Sequence, residues 1–202
     1  NLENYRKAGR DLVYWNDEWY QYKGRSYSRL GIKKLRPRVR KAIETEFERW
    51  WAEHKDRQTK PVTKVSGRLV TDVIESMESI CFTRNEQRMN AWMDNDGPED
   101  CIAMRNGILC LSELFKSADE RDDSKVLLPH THKWFSSVCL PYDFDPNADC
   151  PAWQNFLQDS FNGDQESIRT LQQWFGLMLT PITRYQKMLF VIGPARSGKG
   201  TS

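Results

Sequence analysis

Val13 and Trp15 alternate with their neighbours, as do Tyr20 and Tyr22, and Lys23-Gly24 supplies a turn before Tyr27, so residues 12–29 read as a short β-meander. Pro37 then sits where a first helical turn tolerates it, and Val39, Ile43, Phe47 and Trp50 or Trp51 recur every three or four residues. That spacing predicts an amphipathic helix to about residue 54. Pro61 breaks it, and Val65, Leu69, Val73, Met77 and Ile80 with Cys81 repeat the same period as a second helix. Between Asn85 and Arg105 the pattern weakens and Asp94, Asn95, Asp96, Gly97 and Pro98 cluster as turn formers, which predicts a loop. Asn106-Gly107 leads into a short strand over 108–111; a further strand is expected over 137–140, and the charged stretch 117–124 reads as a mobile loop. Pro151 opens a helix carrying Trp153, Phe156, Leu157 and Phe161. Asp164 caps the next, whose apolar face is Ile168, Leu171, Phe175 and Met178, and Pro181 ends it. An apolar strand is expected over 187–192.

At 202 residues the chain holds one to two domains, and 39% hydrophobic with 29% charged residues excludes a disordered or collagen-like chain. No apolar run approaches the length of a membrane span and no apolar signal region opens the chain, so a cytoplasmic protein without a membrane partner is expected, in a bacterial host cell if phage or plasmid encoded. Five cysteines without a C-x-x-C pair make a poor disulfide or zinc framework; reduced, buried thiols are expected. The formal net charge is only +2, yet residues 23–60 hold 13 Lys or Arg against 5 acids, while residues 71–123 hold 13 acids against 5 bases. Such asymmetry either attracts a polyanion to one region or pairs opposite faces of neighbouring subunits, unless it is merely two solvated helix faces.

Candidate chemistry concentrates at the end of the chain. The expected strand runs into Gly193-Pro-Ala-Arg-Ser197-Gly198-Lys199-Gly200-Thr201, which fits the G-x-x-x-x-G-K phosphate loop. Glycines let successive backbone N–H groups turn toward phosphates, Lys199 adds a cation, and a helix beginning there adds its positive dipole end. The residue after Lys199 is Gly200, where Ser or Thr normally contacts magnesium; Thr201, one place later, is the candidate substitute, and no other metal ligand is assigned. A phosphate loop belongs near the front of a nucleotide-binding domain, so a chain that starts at Asn1 and stops just after one reads as a fragment of a longer protein.

Among the weaker signals, the run Lys33, Lys34, Arg36, Arg38, Arg40 and Lys41 at a helix start opposes the helix dipole and favours an anionic partner, which makes it the candidate DNA contact. Trp15, Trp19, Tyr20, Tyr22 and Tyr27 are explained by strand packing without base stacking. His130 and His132, with Cys139 and Cys150 downstream, match no zinc module and read as surface histidines. Asp94-Asn-Asp96-Gly97 lacks the later ligands of a calcium loop, and a turn suffices. No nucleophile and base stand at a characteristic spacing, so no catalytic residue is assigned.

Leu12-Val-Tyr-Trp15 with Trp19-Tyr-Gln-Tyr22, Asn106-Gly107-Ile-Leu, Leu140-Pro-Tyr-Asp143-Phe-Asp-Pro146 and Cys150-Pro-Ala-Trp153 stand in order ahead of the phosphate loop. This arrangement resembles the D5 N-terminal-like region of phage and plasmid primase-helicases, of the phage P4 or poxvirus D5 type, whose motor is a superfamily 3 helicase. The resemblance implies an α+β protein: a mainly helical accessory domain with a small β-meander and hairpins over residues 1–148, then over 149–202 the first strand and phosphate loop of an AAA+ domain. It further implies an ATP-dependent replicative helicase, commonly a hexameric ring that uses ATP and Mg2+ to move 3′ to 5′ along single-stranded or forked DNA, often with a primase upstream. The accessory domain would support ring assembly or guide single-stranded DNA. The acids and arginine finger of such a motor would follow residue 202, so these residues alone are expected to be inactive. Two other readings stand: a DNA-binding or protein-interaction module, and a P-loop kinase with a long N-terminal extension.

Overall fold

A computed structural model of the chain describes residues 11–54, 64–83, 86–93, 97, 98, 100–180 and 184–193. It is a mixed α+β structure with, among the described residues, six helices and small antiparallel sheets. The chain divides into two compact units, Asn1–Asp143 and Phe144–Ser202.

The first unit opens with the expected meander: β1 (Leu12–Trp15), β2 (Glu18–Tyr22) and β3 (Tyr27–Arg29), ordered β1-β2-β3 and antiparallel throughout. Asn16 and Asp17, at φ 50° and 59°, form a two-residue turn whose left-handed backbone matches strand twist. Gly24, at φ 86°, serves the β2–β3 turn, where a side chain would be strained. The period of two sends Val13, Trp15, Tyr20, Tyr22 and Tyr27 to one face, around Phe135, and Leu12, Tyr14 and Trp19 to the other, against the helices. Both faces are therefore covered.

The first helix, α1 (Ile32–Glu53), begins five residues earlier than the proline predicts. Pro37 lies inside it, where its ring removes one backbone donor; burial of Leu35, Val39 and Ile43 along one stripe outweighs that loss and carries the helix through. The stripe fades beyond Ile43: Phe47 is 40% exposed and both Trp50 and Trp51 are half-buried. In α2 (Gly67–Cys81) Ser66 caps the start, its Oγ accepting from the Leu69 N–H at 3.1 Å. Val70 and Ile74 are its buried positions, with Leu69, Val73, Met77 and Cys81 packed beside them, whereas Ile80 of the expected stripe is 81% exposed.

The stretch expected as a loop before residue 105 contains two strands. β4 (Ala91–Trp92) pairs with β8 (Trp134–Phe135), and β5 (Cys101–Met104) pairs with β6 (Gly107–Cys110), which in turn pairs with β7 (Leu127–Leu128). Trp92, Cys101, Ala103, Ile108, Cys110 and Trp134 form their core. Gly107 is required at its place, since a Cβ there would stand 2.7 Å from the Leu128 carbonyl oxygen. The strand expected over 137–140 is displaced to Trp134–Phe135; residues 137–140 are irregular, held beside β5 by the Leu140 N–H to the Ala103 carbonyl at 2.8 Å. The buried aromatics of β8 take the pairing positions, and the exposed Val138 does not compete for them. Two single-turn helices, α3 (Leu111–Leu114) and α4 (Asp123–Val126), follow β6; the second begins inside the stretch expected as a loop.

In the second unit α5 (Pro151–Ser160) and α6 (Gln165–Met178) pack through Leu157, Ile168 and Leu171, with Trp153, Phe156 and Phe175 beside them. Asn162 and Gly163, at φ 51° and 79°, turn the chain, and the Asp164 carboxylate accepts from the Glu166 N–H at 3.1 Å, as a capping residue should. Met178, expected on the buried face, is 67% exposed. Residues 187–192, expected as a strand, are irregular, and Met188, Phe190 and Ile192 are exposed. A strand exists through backbone pairing with a neighbour, and no described segment pairs with this one. No helix among the described residues is long and apolar enough to cross a membrane.

Candidate nucleic-acid interface

All six candidate cations lie in the first half of α1. Leu35, Val39 and Ile43 face the core, so the helical period places Lys33, Lys34 and Lys41 along the outer crest, with Arg38 on one flank and Arg36 and Arg40 on the other. The hydrogen bonds agree with that placement. Arg38 donates from Nη1 to Gln21 Oε1 of β2 at 3.0 Å, while Arg36 donates from Nη2 to Thr71 Oγ1 of α2 at 2.5 Å and Arg40 from Nη1 to the Val65 carbonyl at 2.9 Å. Each arginine is thus tethered to a neighbouring segment through a neutral acceptor, which does not itself offset its charge. Among the described residues none of the six makes an ion pair.

The electrostatics are those of a local surplus. No acid occurs between residues 30 and 43, and the first turn of α1 contains none to offset its dipole. Gly31 caps the helix without a side-chain hydrogen bond, so the first-turn N–H groups add to the positive potential. Lys23 joins the patch through the acceptor that holds Arg38: its Nζ donates to Gln21 Oε1 at 2.8 Å. This residue stands ten positions before the basic run and is brought to it by the β2–β3 turn, a proximity that linear spacing does not reveal. The signal that reaches it is the strand period, which puts Gln21 opposite to Tyr20 and Tyr22.

The aromatic residues near this patch are structural. Trp19 and Tyr27 are buried, and Trp15, Tyr20 and Tyr27 meet Phe135 edge-on at ring-centroid distances of 5.5, 5.6 and 5.1 Å. The Tyr27 hydroxyl donates to the His132 carbonyl at 2.5 Å, and burial pushes its pKa well above the usual phenol range, so it stays neutral. Strand packing accounts for them, as expected. His130 makes a 3.3 Å contact from Nε2 to the Arg105 carbonyl and His132 lies edge-on to Tyr22, and no group of three metal-binding side chains forms among the described residues. Asp94, Asn95 and Asp96 lie outside the described residues, as do Ser197, Gly198, Lys199, Gly200 and Thr201 of the phosphate-loop pattern; Gly193 is described, in irregular backbone.

All five cysteines are free, and the expectation of buried thiols holds for Cys101 and Cys110, whereas Cys81 and Cys139 are half-buried and Cys150 is exposed. The segment around Asp143 is tied back to the β5–β6 turn: Arg105 donates from Nε to Asp143 Oδ1 at 2.8 Å and from Nη2 to Oδ2 at 2.5 Å. That guanidinium holds the Asp143 carboxyl below its usual range.

Residues 5–162 match the family described as D5 N terminal like, which is well over half of the chain. The chain belongs to that family. D5 N-terminal-like domains are typical of phage and viral primase-helicase proteins. The match spans the meander, the helix pair, the β5–β6 hairpin and α5, and it includes all six cations of α1. No curated protein matches the chain.

Proposed function

We propose that the chain is the D5 N-terminal-like accessory region of an ATP-dependent replicative primase-helicase, and that the first half of α1 guides single-stranded or forked DNA. The observation that carries this reading is the set of six α1 cations without an acidic partner among the described residues, set on a rigid two-sided scaffold within a family typical of such proteins. Three lysines on the crest offer mobile point charges to phosphates. Three tethered arginines hold their planar groups at fixed places along the flanks, which suits a strand laid along the helix. In the intact protein, ATP phosphates would be held by the backbone of the pattern that opens at Gly193 and by Lys199, with Thr201 offered to Mg2+; this part of the reading rests on the sequence pattern. Residues 149–202 would then lead into a superfamily 3 AAA+ motor assembled as a ring, with the accessory region supporting its assembly.

The test is fluorescence anisotropy with labelled single-stranded DNA across a salt series, comparing the chain with a variant in which Lys33, Lys34, Arg36, Arg38, Arg40 and Lys41 are all Ala. The expected outcome is binding that weakens steeply with salt in the parent and falls at least about 100-fold in the variant near 0.1 M salt. Equal binding by the two proteins overturns the DNA role of α1. For the motor, Lys199→Ala in the longer protein is expected to abolish ATP-driven unwinding, and normal unwinding by it refutes that half.

A further inference from the structure

Cys101 and Cys110 face one another across the β5–β6 hairpin as a directly opposed pair, with their sulfurs 2.9 Å apart. The Leu111 N–H donates to the Asp100 carbonyl at 3.0 Å, which makes the adjoining pair 101/110 a non-hydrogen-bonded one. In such pairs the two Cα atoms stand at about 4.5 Å and the side chains approach most closely, within the range a disulfide spans without backbone movement. Both thiols sit in the core cluster with Trp92, Ala103, Ile108 and Trp134, with Cys139 packed against it. Buried free cysteines are common in cores, but two of them opposed at this separation are not required for packing; an apolar residue at either position would fill the space.

We propose that Cys101 and Cys110 are an oxidative modification site, a dithiol that a peroxide converts to an intramolecular disulfide. The two sulfurs differ in access. Cys101 lies on β5, the edge strand of its sheet, and keeps 8% exposure, whereas Cys110 lies on the central strand with 0%. Cys101 is the sulfur that meets the oxidant: its sulfur displaces hydroxide from the peroxide O–O bond and becomes a sulfenic acid, with one water released. Cys110 then attacks the Cys101 sulfur, the S–S bond forms as the S–O bond breaks, and the hydroxide leaves as a second water with the thiol proton. Two thiols lose two electrons in all, and the peroxide gains them. Burial and the hydrogen bond shared with Cys110 hold the Cys101 thiol above its ordinary range, so it meets peroxide slowly, and the opposed geometry then delivers Cys110 to the sulfenic sulfur. The product closes the hairpin on itself and pins the register that carries the Arg105 turn.

The experiment uses the full chain, reduced, freed of reductant, and treated under native conditions with hydrogen peroxide, followed by denaturation, maleimide alkylation and peptide mapping by mass spectrometry. The expected result is a linked pair of peptides containing Cys101 and Cys110, lighter by two hydrogen atoms, with Cys81 and Cys139 still alkylated. The ratio of the 101–110 linkage to every other cysteine linkage should be at least about tenfold higher than in the same chain kept in urea, because the fold holds these two sulfurs together. Cys101→Ala should stop the linkage and leave Cys110 unoxidised; Cys110→Ala should leave Cys101 as a trappable sulfenic acid. Alkylation of both thiols after peroxide, linkage of either to another cysteine instead, or a ratio no higher in the native chain than in urea each overturns the proposal. The mapping of the parent chain decides the matter even where a variant fails to fold.

Discussion

Two regions of this protein hold dense charge and treat it in opposite ways. Over residues 113–125, Lys116 meets Glu113 at 2.6 Å, Arg121 meets Asp123 at 2.7 Å and Lys125 meets Asp122 at 3.1 Å, so each cation has an acid two or three positions away. In the first half of α1 the three arginines instead turn to an amide oxygen, a hydroxyl and a carbonyl, and the helix keeps its acids, Glu44, Glu46, Glu48 and Glu53, for its second half, where Arg49 pairs with Glu46. The difference teaches that a count of charges says little about available charge. A stretch whose cations are each paired with a nearby acid is poorly suited to steering a polyanion, and one whose arginines are held by neutral acceptors keeps its field.

The comparison breaks most completely where the scaffold under α1 is removed. Leu35 is 2% exposed and packs in the cluster that contains Val39, Val70 and Ile74, and Leu35→Ala should destabilise the chain by about 2–5 kcal/mol, read by urea denaturation. A loss below about 1 kcal/mol would mean that α1 does not depend on this core for its position.

Charge removal sharpens the contrast at a smaller scale. Replacing Lys33, Lys34 and Lys41 with Ala should lower the slope of log affinity for single-stranded DNA against log salt by about 2, since each phosphate contact on a single strand contributes about 0.7. Replacing Lys116 and Lys125 with Ala should leave that slope unchanged, because their charge is already spent on Glu113 and Asp122. Equal slope changes in the two variants would show that only net charge matters.

The smallest effect is in pH dependence. Lys116 holds Glu113 below the ordinary carboxyl range, Ser124 and Lys125 hold Asp122 there, and Arg105 holds Asp143. A carboxyl depressed in the folded state adds stability that is present above its unfolded value, near pH 4, and is lost as pH falls through its folded value. Melting temperature should therefore decline below about pH 4. Lys116→Ala with Lys125→Ala should flatten that decline, and an unchanged decline would remove these pairs as its source. The first half of α1, having no acid, contributes nothing to it.

Much of the scaffold is legible in the chain because its signals are local. The alternation around Tyr20 and Tyr22, the cap at Asp164, Pro151 at a helix start and the strand that follows Asn106-Gly107 each act within a few residues. The misses share a cause of the opposite kind. Pro37 reads as a helix start because its missing donor is felt locally, yet burial of Leu35 on the far side of it extends the helix back to Ile32. β5 is hidden by the turn formers before it, since its pairing with β6 is formed only when the hairpin closes. The apolar run 187–192 satisfies every local criterion for a strand and lacks a paired neighbour among the described residues. In the candidate interface the six cations are visible as a run, but their crest-and-flank division and the arrival of Lys23 are not.

The sequence by itself determined the α+β class, the meander, the paired helices of each unit and the basic character of α1, because periodicity, caps and composition are properties of neighbouring residues. Only the tertiary structure decided that both faces of the meander are covered, that the strand after the charged stretch lies at Trp134–Phe135, that the α1 arginines find neutral partners, and that Cys101 stands opposite Cys110. Each of these is a contact between residues far apart in the chain or across a hairpin. Such contacts are chosen by which buried surfaces fit together, a competition among the whole set of elements that no local pattern expresses.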